Sequence, residues 1–170
     1  MGIQQERQAR DLEISKMNIV PITIAKANAF VISFHRHNRP TVGGKWAIGL
    51  EHDEELVGVA IVGRPIARLE DQKFVAEVLR TCTNDKAPKG AVSKLYSTCW
   101  RIWQLMGGKK IITYTLLSES GASLRGAGWT VIGQVQPGTW DRKNRSREWQ
   151  PIFGQQKLKW GTDRGTNAKA

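Results

Sequence analysis

The apolar positions of this chain change period several times, and each change marks a structural element. In TIAKANAFVISFHRHN they recur every three or four residues, which predicts a helix that ends before the proline and glycines of RPTVGG. The apolar face of that helix would carry Ile24, Ala27, Phe30, Val31 and Phe34. Two β-rich runs follow, KWAIGLE and ELVGVAIVGRP, and the turn-rich HDE between them predicts a β-hairpin.

A third β-rich run, FVAEVLRTCT, is partly apolar on both of its sides. Such a run is typical of a central strand that is covered on both faces. Strict alternation would place Glu77 and Arg80 on opposite faces of that strand.

The next segment has the spacing of a long helix that ends at Gly107 and Gly108. KIITYTLL then predicts a strand, SESGASLRGAG a short helix, and WTVIGQV another strand. FVAEVLRTCT, the long helix and KIITYTLL are a strand, a helix and a strand over about forty residues. This order indicates a βαβ crossover, and therefore adjacent parallel strands. Near the end of the chain, QKLKW predicts a last strand at an edge of the sheet.

The length of 170 residues suits one domain with a single core. We expect residues 1–16 to be a flexible or helical extension, 17–160 to be the domain and 161–170 to be a flexible tail. No apolar run approaches the ~20 residues of a membrane-spanning helix, and the first residues lack the apolar centre of a secretory signal, so we expect a cytoplasmic location. Cys82 and Cys99 lie in no CxxC pair and are expected to be reduced and buried.

The turn between FVAEVLRTCT and the long helix has the composition of an anion site. The first turn of a helix carries unpaired N–H groups and partial positive charge, and small residues let a phosphate approach them. The alternative is that Gly90 only eases the turn and Ser93 only caps the helix. The candidate anion-binding residues are Thr81, Cys82, Thr83, Lys86, Lys89, Gly90, Ala91, Val92 and Ser93.

The order of these elements resembles the GNAT acyltransferase fold, an α/β fold whose mixed sheet has splayed central parallel strands flanked by helices. Six ordered motifs resemble more closely a family of small GNAT-like proteins of phages and mobile elements, related to the phage Mom DNA-modification protein. These motifs are ANAFVISFHRHNRP, LVGVAIVGRPIAR, EVLRTCT, SKLYSTCWRIWQLMG, KKIITYTL and GASLRGAGW. The resemblance implies that a coenzyme A thioester, acetyl-CoA or another acyl-CoA, enters between EVLRTCT and KIITYTL, with its pyrophosphate at the turn.

Acyl transfer needs a base for the acceptor and an acid for the leaving thiolate. Where many GNAT enzymes have a catalytic tyrosine, this chain has Leu124 and Arg125. Glu77 is a candidate base or amine anchor, or alternatively a structural partner of Arg64 or Arg80. The other candidate catalytic residues are His35, His37, Tyr114, Ser118 and Ser123. The histidines are alternatively a helix cap or a metal site, and Tyr114 is alternatively a core residue.

The chain has 26 Lys and Arg against 15 Asp and Glu, a net charge of +11, which makes nucleic acid the first partner to consider. A small polyanion is the alternative ligand. In a segment predicted to be a loop, four cations lie between Trp140 and Trp149. Cations with flanking aromatic side chains suit contact with phosphates and stacking on bases, although a solvated surface loop has a similar composition. The candidate nucleic-acid-binding residues are Arg36, Arg39, Trp140, Arg142, Lys143, Arg145, Arg147 and Trp149.

Together these features predict a GNAT-like, acyl-CoA-dependent transferase that modifies nucleic acid, with DNA base modification of the Mom type first. One alternative is an N-acetyltransferase of a small amine, a protein or an aminoacyl-tRNA. The other is a non-catalytic protein on the same fold that binds nucleic acid or a host protein.

Overall fold

A computed structural model of the chain describes residues 2–34, 39–137 and 154–163. The described elements are α1 (Gly2–Ser15), β1 (Asn18–Ile22), α2 (Ile24–Phe34), β2 (Trp46–His52), β3 (Glu55–Gly63), β4 (Val75–Thr83), α3 (Ala91–Leu105), β5 (Lys110–Leu116), α4 (Ala122–Gly126), β6 (Thr130–Val135) and β7 (Lys157–Asp163). No helix within these ranges is both long and apolar enough to cross a membrane.

The seven strands form one mixed sheet in the order β1-β2-β3-β4-β5-β7-β6. β2 and β3 form the predicted hairpin, closed by Asp53 and Glu54 in left-handed backbone conformations. β4, α3 and β5 form the predicted crossover, and β4 and β5 are the one parallel pair in the sheet. The predicted mixed α/β architecture is therefore confirmed.

The position of β7 corrects the prediction of a last edge strand. β7 lies between β5 and β6 and is antiparallel to both, so Trp160 is opposite Thr113 on one side and Val131 on the other. The strand continues to Asp163, because Thr162 and Asp163 still pair with β5, opposite Ile111 and Lys110. Its final residues therefore belong to the sheet, and not to the tail that was predicted from residue 161 onward.

Each face of the sheet has its own core. On one face α3 packs Leu95, Tyr96, Cys99, Trp100 and Trp103 against the strands, as the helical spacing predicted. On the other face α2 buries Ala27, Phe30 and Val31 against β3 and β4, whereas Phe34 at its end is exposed. Both cysteines are buried and neither forms a disulfide, as expected.

A β-bulge in β4 decides which side chains share a face. Ile61 of β3 lies opposite Arg80, whereas the next residue, Val62, lies opposite Val78, so that Leu79 is an extra residue in β4. The extra residue reverses the alternation that follows it. Glu77 and Arg80 are consequently on the same face of the sheet, the face of α2, and the prediction that they point to opposite sides was wrong.

β4 and β5 separate soon after they meet. Their backbone pairing covers only Val75 with Lys110, Ala76 with Ile111, and Glu77 with Ile112. One residue further, the hydroxyl of Thr113 donates to the carbonyl of Val78 at 2.9 Å. Beyond this bond the two strands are not paired with each other, and their carboxyl ends border an opening in the sheet.

Candidate active site

A cavity of about 540 Å³ occupies the opening between β4 and β5. It is bordered by the carboxyl ends of both strands, by the first turns of α3 and by the segment that leads into α4. The lining residues are Phe34, Thr81, Cys82, Thr83, Val92, Tyr96, Thr115 and the segment 118–124. Of the predicted anion-site residues, Thr81, Cys82, Thr83 and Val92 thus lie at this cavity.

The turn that leads into α3 has the free donors of an anion site. Gly90 adopts φ 94°, a left-handed conformation that favours glycine, and Ala91 begins the helix. The amide of Ala91 donates to the carbonyl of Pro88 at 3.1 Å. The amides of Gly90, Val92 and Ser93 donate no hydrogen bond to any part of the chain that the structure describes. Unpaired amides at a helix N-terminus favour a bound anion.

The two lysines of the turn differ in their partners. The Nζ of Lys86 lies 2.6 Å from a carboxylate oxygen of Glu55, so its charge is already compensated. Lys89 is exposed and forms no ion pair with a described residue. Any charge that lysine adds for an anion at this turn therefore comes mainly from Lys89.

Ser93 joins α3 to α4. Its hydroxyl donates to the carbonyl of Ser123 at 2.9 Å, and Gly126 lies so close that an added Cβ would be 2.9 Å from that hydroxyl. The side chain of Ser93 is therefore committed to the fold, while its amide remains free for a ligand.

Glu77 is a buried carboxyl group in the last backbone pair of β4 and β5, at the point where the strands part, and it does not itself line the cavity. Its side chain is 4% exposed, and its Oε2 accepts a hydrogen bond from the amide of Ile66 at 2.8 Å. Burial raises the pKa of Glu77 to about 7, against the lowering effect of this hydrogen bond and of the Arg80 charge. A carboxyl with a pKa near neutrality is suited to act as a general base.

Neither predicted structural ion pair of Glu77 forms within 4.0 Å in the described chain, with Arg64 or with Arg80. The guanidinium of Arg80 instead donates to two backbone carbonyls, those of Arg39 at 2.8 Å and Leu79 at 2.6 Å. Arg39, a predicted nucleic-acid contact, thus places Arg80 through its backbone.

Tyr114 does not line the cavity, although it is on β5 beside it. It lies opposite Lys159 on the face that Glu77 occupies. Burial, with the nearby charge of Glu77, raises the pKa of Tyr114 to about 12, so its phenol stays protonated at neutral pH. Ser118 and Ser123 do line the cavity.

The cavity has a tyrosine that was not among the predicted site residues. Tyr96 lines the cavity from α3, and burial raises the pKa of its phenol while the neighbouring hydroxyls of Thr81 and Thr113 oppose the rise. The hydroxyl of Thr81 is buried and makes no hydrogen bond of good geometry with a described residue. The signal that could have identified Tyr96 is its place one helical turn after Val92 in the turn already singled out.

Several predicted residues lie outside the described ranges, so their placement is not tested. They are His35, Arg36, His37, Trp140, Arg142, Lys143, Arg145, Arg147 and Trp149. Within the described ranges, no three His, Cys, Asp or Glu side chains cluster as metal ligands would.

No protein-family model and no curated protein matches this chain. Solved structures do match, over most of their length. An IAA acetyltransferase from Bacillus cereus has a TM-score of 0.62 at 12% identity, covering 86% of this chain and 99% of its own. A Bacillus subtilis acetyltransferase in complex with CoA has a TM-score of 0.60 at 11% identity, with 87% and 97% covered.

An acetyltransferase of the GNAT family from Streptococcus pneumoniae has a TM-score of 0.59 at 10% identity, with 86% of this chain and 98% of its own covered. At these identities the likeness concerns the fold. The mixed seven-stranded sheet, with its parallel central pair and flanking helices, is the fold of the GNAT acetyltransferases.

Proposed function

We propose that this protein transfers an acyl group from a coenzyme A thioester to an amine of nucleic acid. The observation that carries the donor half is the opening between β4 and β5, whose cavity is lined by Val92 of the first turn of α3, where the amides of Gly90, Val92 and Ser93 have no partner in the described chain. The opening accommodates a narrow thioester arm, and the amides of Gly90, Val92 and Ser93 suit its pyrophosphate. A solved structure with this fold is a complex with CoA, which supports the same donor.

In this proposal Glu77 is the general base. A nucleobase amine is neutral and loses a proton as its nitrogen attacks the thioester carbonyl, and Glu77 has the burial and the pKa for accepting that proton near pH 7. The new bond joins the amine nitrogen to the acyl carbon, the carbon–sulfur bond breaks, and the thiolate leaves and takes a proton from water, while Glu77 returns to solvent the proton that it accepted from the amine. Tyr96, Ser118 and Ser123 are the cavity hydroxyls that can donate hydrogen bonds to that thiolate.

The acceptor half rests on charge. A net charge of +11 favours a polyanion, and in the sequence four cations lie between Trp140 and Trp149, a segment predicted to be a loop. Base modification also requires access to an unstacked nucleotide, for which exposed aromatic side chains are suited. These properties support nucleic acid, with DNA of the Mom type first, as the acceptor.

The decisive experiment measures thiol release from acetyl-CoA in the presence of DNA, RNA or a panel of small amines, followed by mass spectrometry of the digested nucleosides. Thiol release that depends on nucleic acid, with a nucleoside of increased mass, is the expected result. Release with small amines alone would assign an amine acetyltransferase. An unchanged nucleoside profile together with no affinity for DNA or RNA would reject the nucleic-acid acceptor.

The helix amides can be tested at Val92. Val92→Pro removes an N–H that has no partner in the described fold, at a first-turn position where proline is tolerated. Since a hydrogen bond to a charged group contributes about 1.5–3 kcal/mol, we expect about tenfold weaker CoA binding by calorimetry. Val92→Ala, which removes the side chain but keeps the amide, is the matched control and is expected to bind CoA more tightly than Val92→Pro. Equal affinity of the two variants would remove this amide from the site.

The basic loop can be tested through the salt dependence of DNA binding. Replacing Arg142, Lys143, Arg145 and Arg147 together by alanine should reduce the slope of log affinity against log salt by about 3 to 4, because fewer counterions are released. This slope is measured by fluorescence anisotropy with a labelled duplex at about 50 to 200 mM salt, the range over which such slopes are resolved. An unchanged slope would remove the loop from the interface.

A further inference from the structure

The sheet face opposite α3 gathers charged side chains beside Glu77. The register of the strands places them together, since Glu77 lies opposite Ile112, Tyr114 opposite Lys159, and Leu116 opposite Lys157. The bulge at Leu79 adds Arg80 to the same face. β4, β5 and β7 therefore present Glu77, Arg80, Tyr114, Lys157 and Lys159 on one surface.

Of the three cations on this surface, one is already compensated and two are not. Lys159 pairs with Glu70, whose carboxylate also lies 4.0 Å from Lys110. Arg80 donates only to backbone carbonyls, and neither Arg80 nor Lys157 has a carboxylate within 4.0 Å in the described ranges. The surface thus retains two positive charges without a direct partner.

These two charges are half-buried, which makes their lack of a partner costly. Burial is the main cause that lowers the pKa of each, and the charge of Arg80 further lowers that of Lys157. Glu77 is the acidic group that opposes both effects, and near pH 7 it is only partly ionised. A bound anion would relieve the repulsion and satisfy the guanidinium.

The pair adjoins the donor cavity. Arg80 and Cys82 lie on the same face of β4, opposite Ile61 and Val59, and Cys82 lines the cavity. An anion held at Arg80 would therefore lie two residues along β4 from Cys82, which lines the cavity. It would lie on the same face of the sheet as Glu77.

We propose that Arg80 and Lys157 bind a phosphodiester group of the nucleic-acid acceptor and so place the target amine at Glu77. The inference rests on the proposed function, because the role of Glu77 as base is what makes this the acceptor side. Guanidinium groups bind phosphate oxygens in pairs, and the net charge of +11 favours a polyphosphate over a neutral acceptor. In sequence, Lys157 also follows the basic loop that carries Arg142 to Arg147.

The test measures binding of a fluorescein-labelled single-stranded DNA to the full chain saturated with CoA. Arg80→Gln and Lys157→Gln each remove one cation, and Arg101→Gln and Lys26→Gln are matched controls at exposed positions on α3 and α2. A single-strand phosphate contact contributes about 0.7 to the salt slope, equivalent to about a fivefold loss of affinity at 0.1 M salt. We expect that loss in both variants and in neither control.

Two additions keep the outcome decisive. Arg80→Lys retains the charge but not the paired donors, and should recover only part of the affinity lost in Arg80→Gln. Lys157→Gln breaks no side-chain hydrogen bond found in the described chain, so its result does not depend on the backbone contacts of Arg80. A poly-glutamate peptide of equal charge should compete poorly. Competition as strong as that of unlabelled DNA would assign an acidic peptide instead and overturn the proposal.

The binding data separate this inference from the function on which it rests. If the variants bind DNA as the controls do, or if the wild type binds no DNA at 50 mM salt while it still binds CoA, the phosphate subsite is wrong and the donor site stands. If DNA binding shows the expected losses but calorimetry detects no CoA binding, the subsite stands and the transferase is wrong.

Discussion

Glu77→Gln should lower kcat/KM for acyl transfer by about 100- to 10,000-fold, which is the usual contribution of a positioned general base. Glutamine retains the shape and can still accept the hydrogen bond from the Ile66 amide, but it cannot take a proton. Affinity for CoA should be unchanged. The measurement is steady-state thiol release with the acceptor that the nucleoside and amine assays select.

The pH profile provides the specific signature of this base. Because the pKa of Glu77 is raised to about 7, the wild type should gain activity as pH rises through about 7 and then reach a plateau. Glu77→Gln should lose this step, whereas Glu6→Gln, on the exposed helix α1, should keep both rate and profile. A variant with a wild-type rate, or with an unaltered step near pH 7, would exclude Glu77 as the base.

The same carboxyl links stability to pH. Its pKa is higher in the folded chain than the ordinary 4.5, so the folded state holds the proton more tightly and stability falls as pH rises from about 4.5 to about 7. Glu77→Gln avoids the cost of ionising a buried group. The variant should therefore be more stable than the wild type at pH 8, by up to about 3 kcal/mol, and the difference should vanish near pH 4.5.

Gly121→Ala should reduce the free energy of unfolding by about 3 kcal/mol or more, which combines left-handed strain with overpacking. Gly121 has φ +65°, and an added Cβ would lie 2.3 Å from the ring of the buried Trp160. Trp160 in turn donates to the hydroxyl of Thr115 at 2.9 Å, so the clash would disturb the wall of the cavity.

The matched control is Gly107→Ala. Gly107 has φ +86°, so it carries the same backbone strain, but an added Cβ there has nothing within 4 Å. We expect a loss of about 1–2 kcal/mol from strain alone. Urea denaturation of both variants measures the difference, and equal losses would show that Trp160 gives way without cost.

Much of the fold could be predicted from the spacing of apolar residues and from the glycine, proline and polar turn residues between elements. The hairpin, the crossover and both helical faces followed from apolar spacing, because burial enforces that spacing locally. The pairing of β7 on both of its edges could not be predicted, because the sequence LKW is equally compatible with an edge strand and with an internal strand. Partner choice depends on residues distant in sequence, as the pairing of Trp160 with Thr113 illustrates.

The site was predicted less completely, and one residue accounts for much of the difference. Leu79 adds a position to β4 without any turn residue to signal it, so strict alternation separated Glu77 from Arg80. Tyr96 was overlooked because a residue on the apolar face of a helix ordinarily packs in the core. The turn at Gly90 was identified because free helix amides and small residues are visible in sequence.

The insertion of β7 between β5 and β6 has a consequence for folding. β5 and β6 are both made before β7, and the hydrogen-bonding edges that they turn toward each other fit only that later strand. During synthesis the half of the sheet formed by β1 to β4 can assemble early, whereas the half that contains β5 and β6 must wait for β7. Until β7 is in place, two strand edges with unpaired backbone groups are exposed. A chain stalled before residue 157 would present them to other nascent chains.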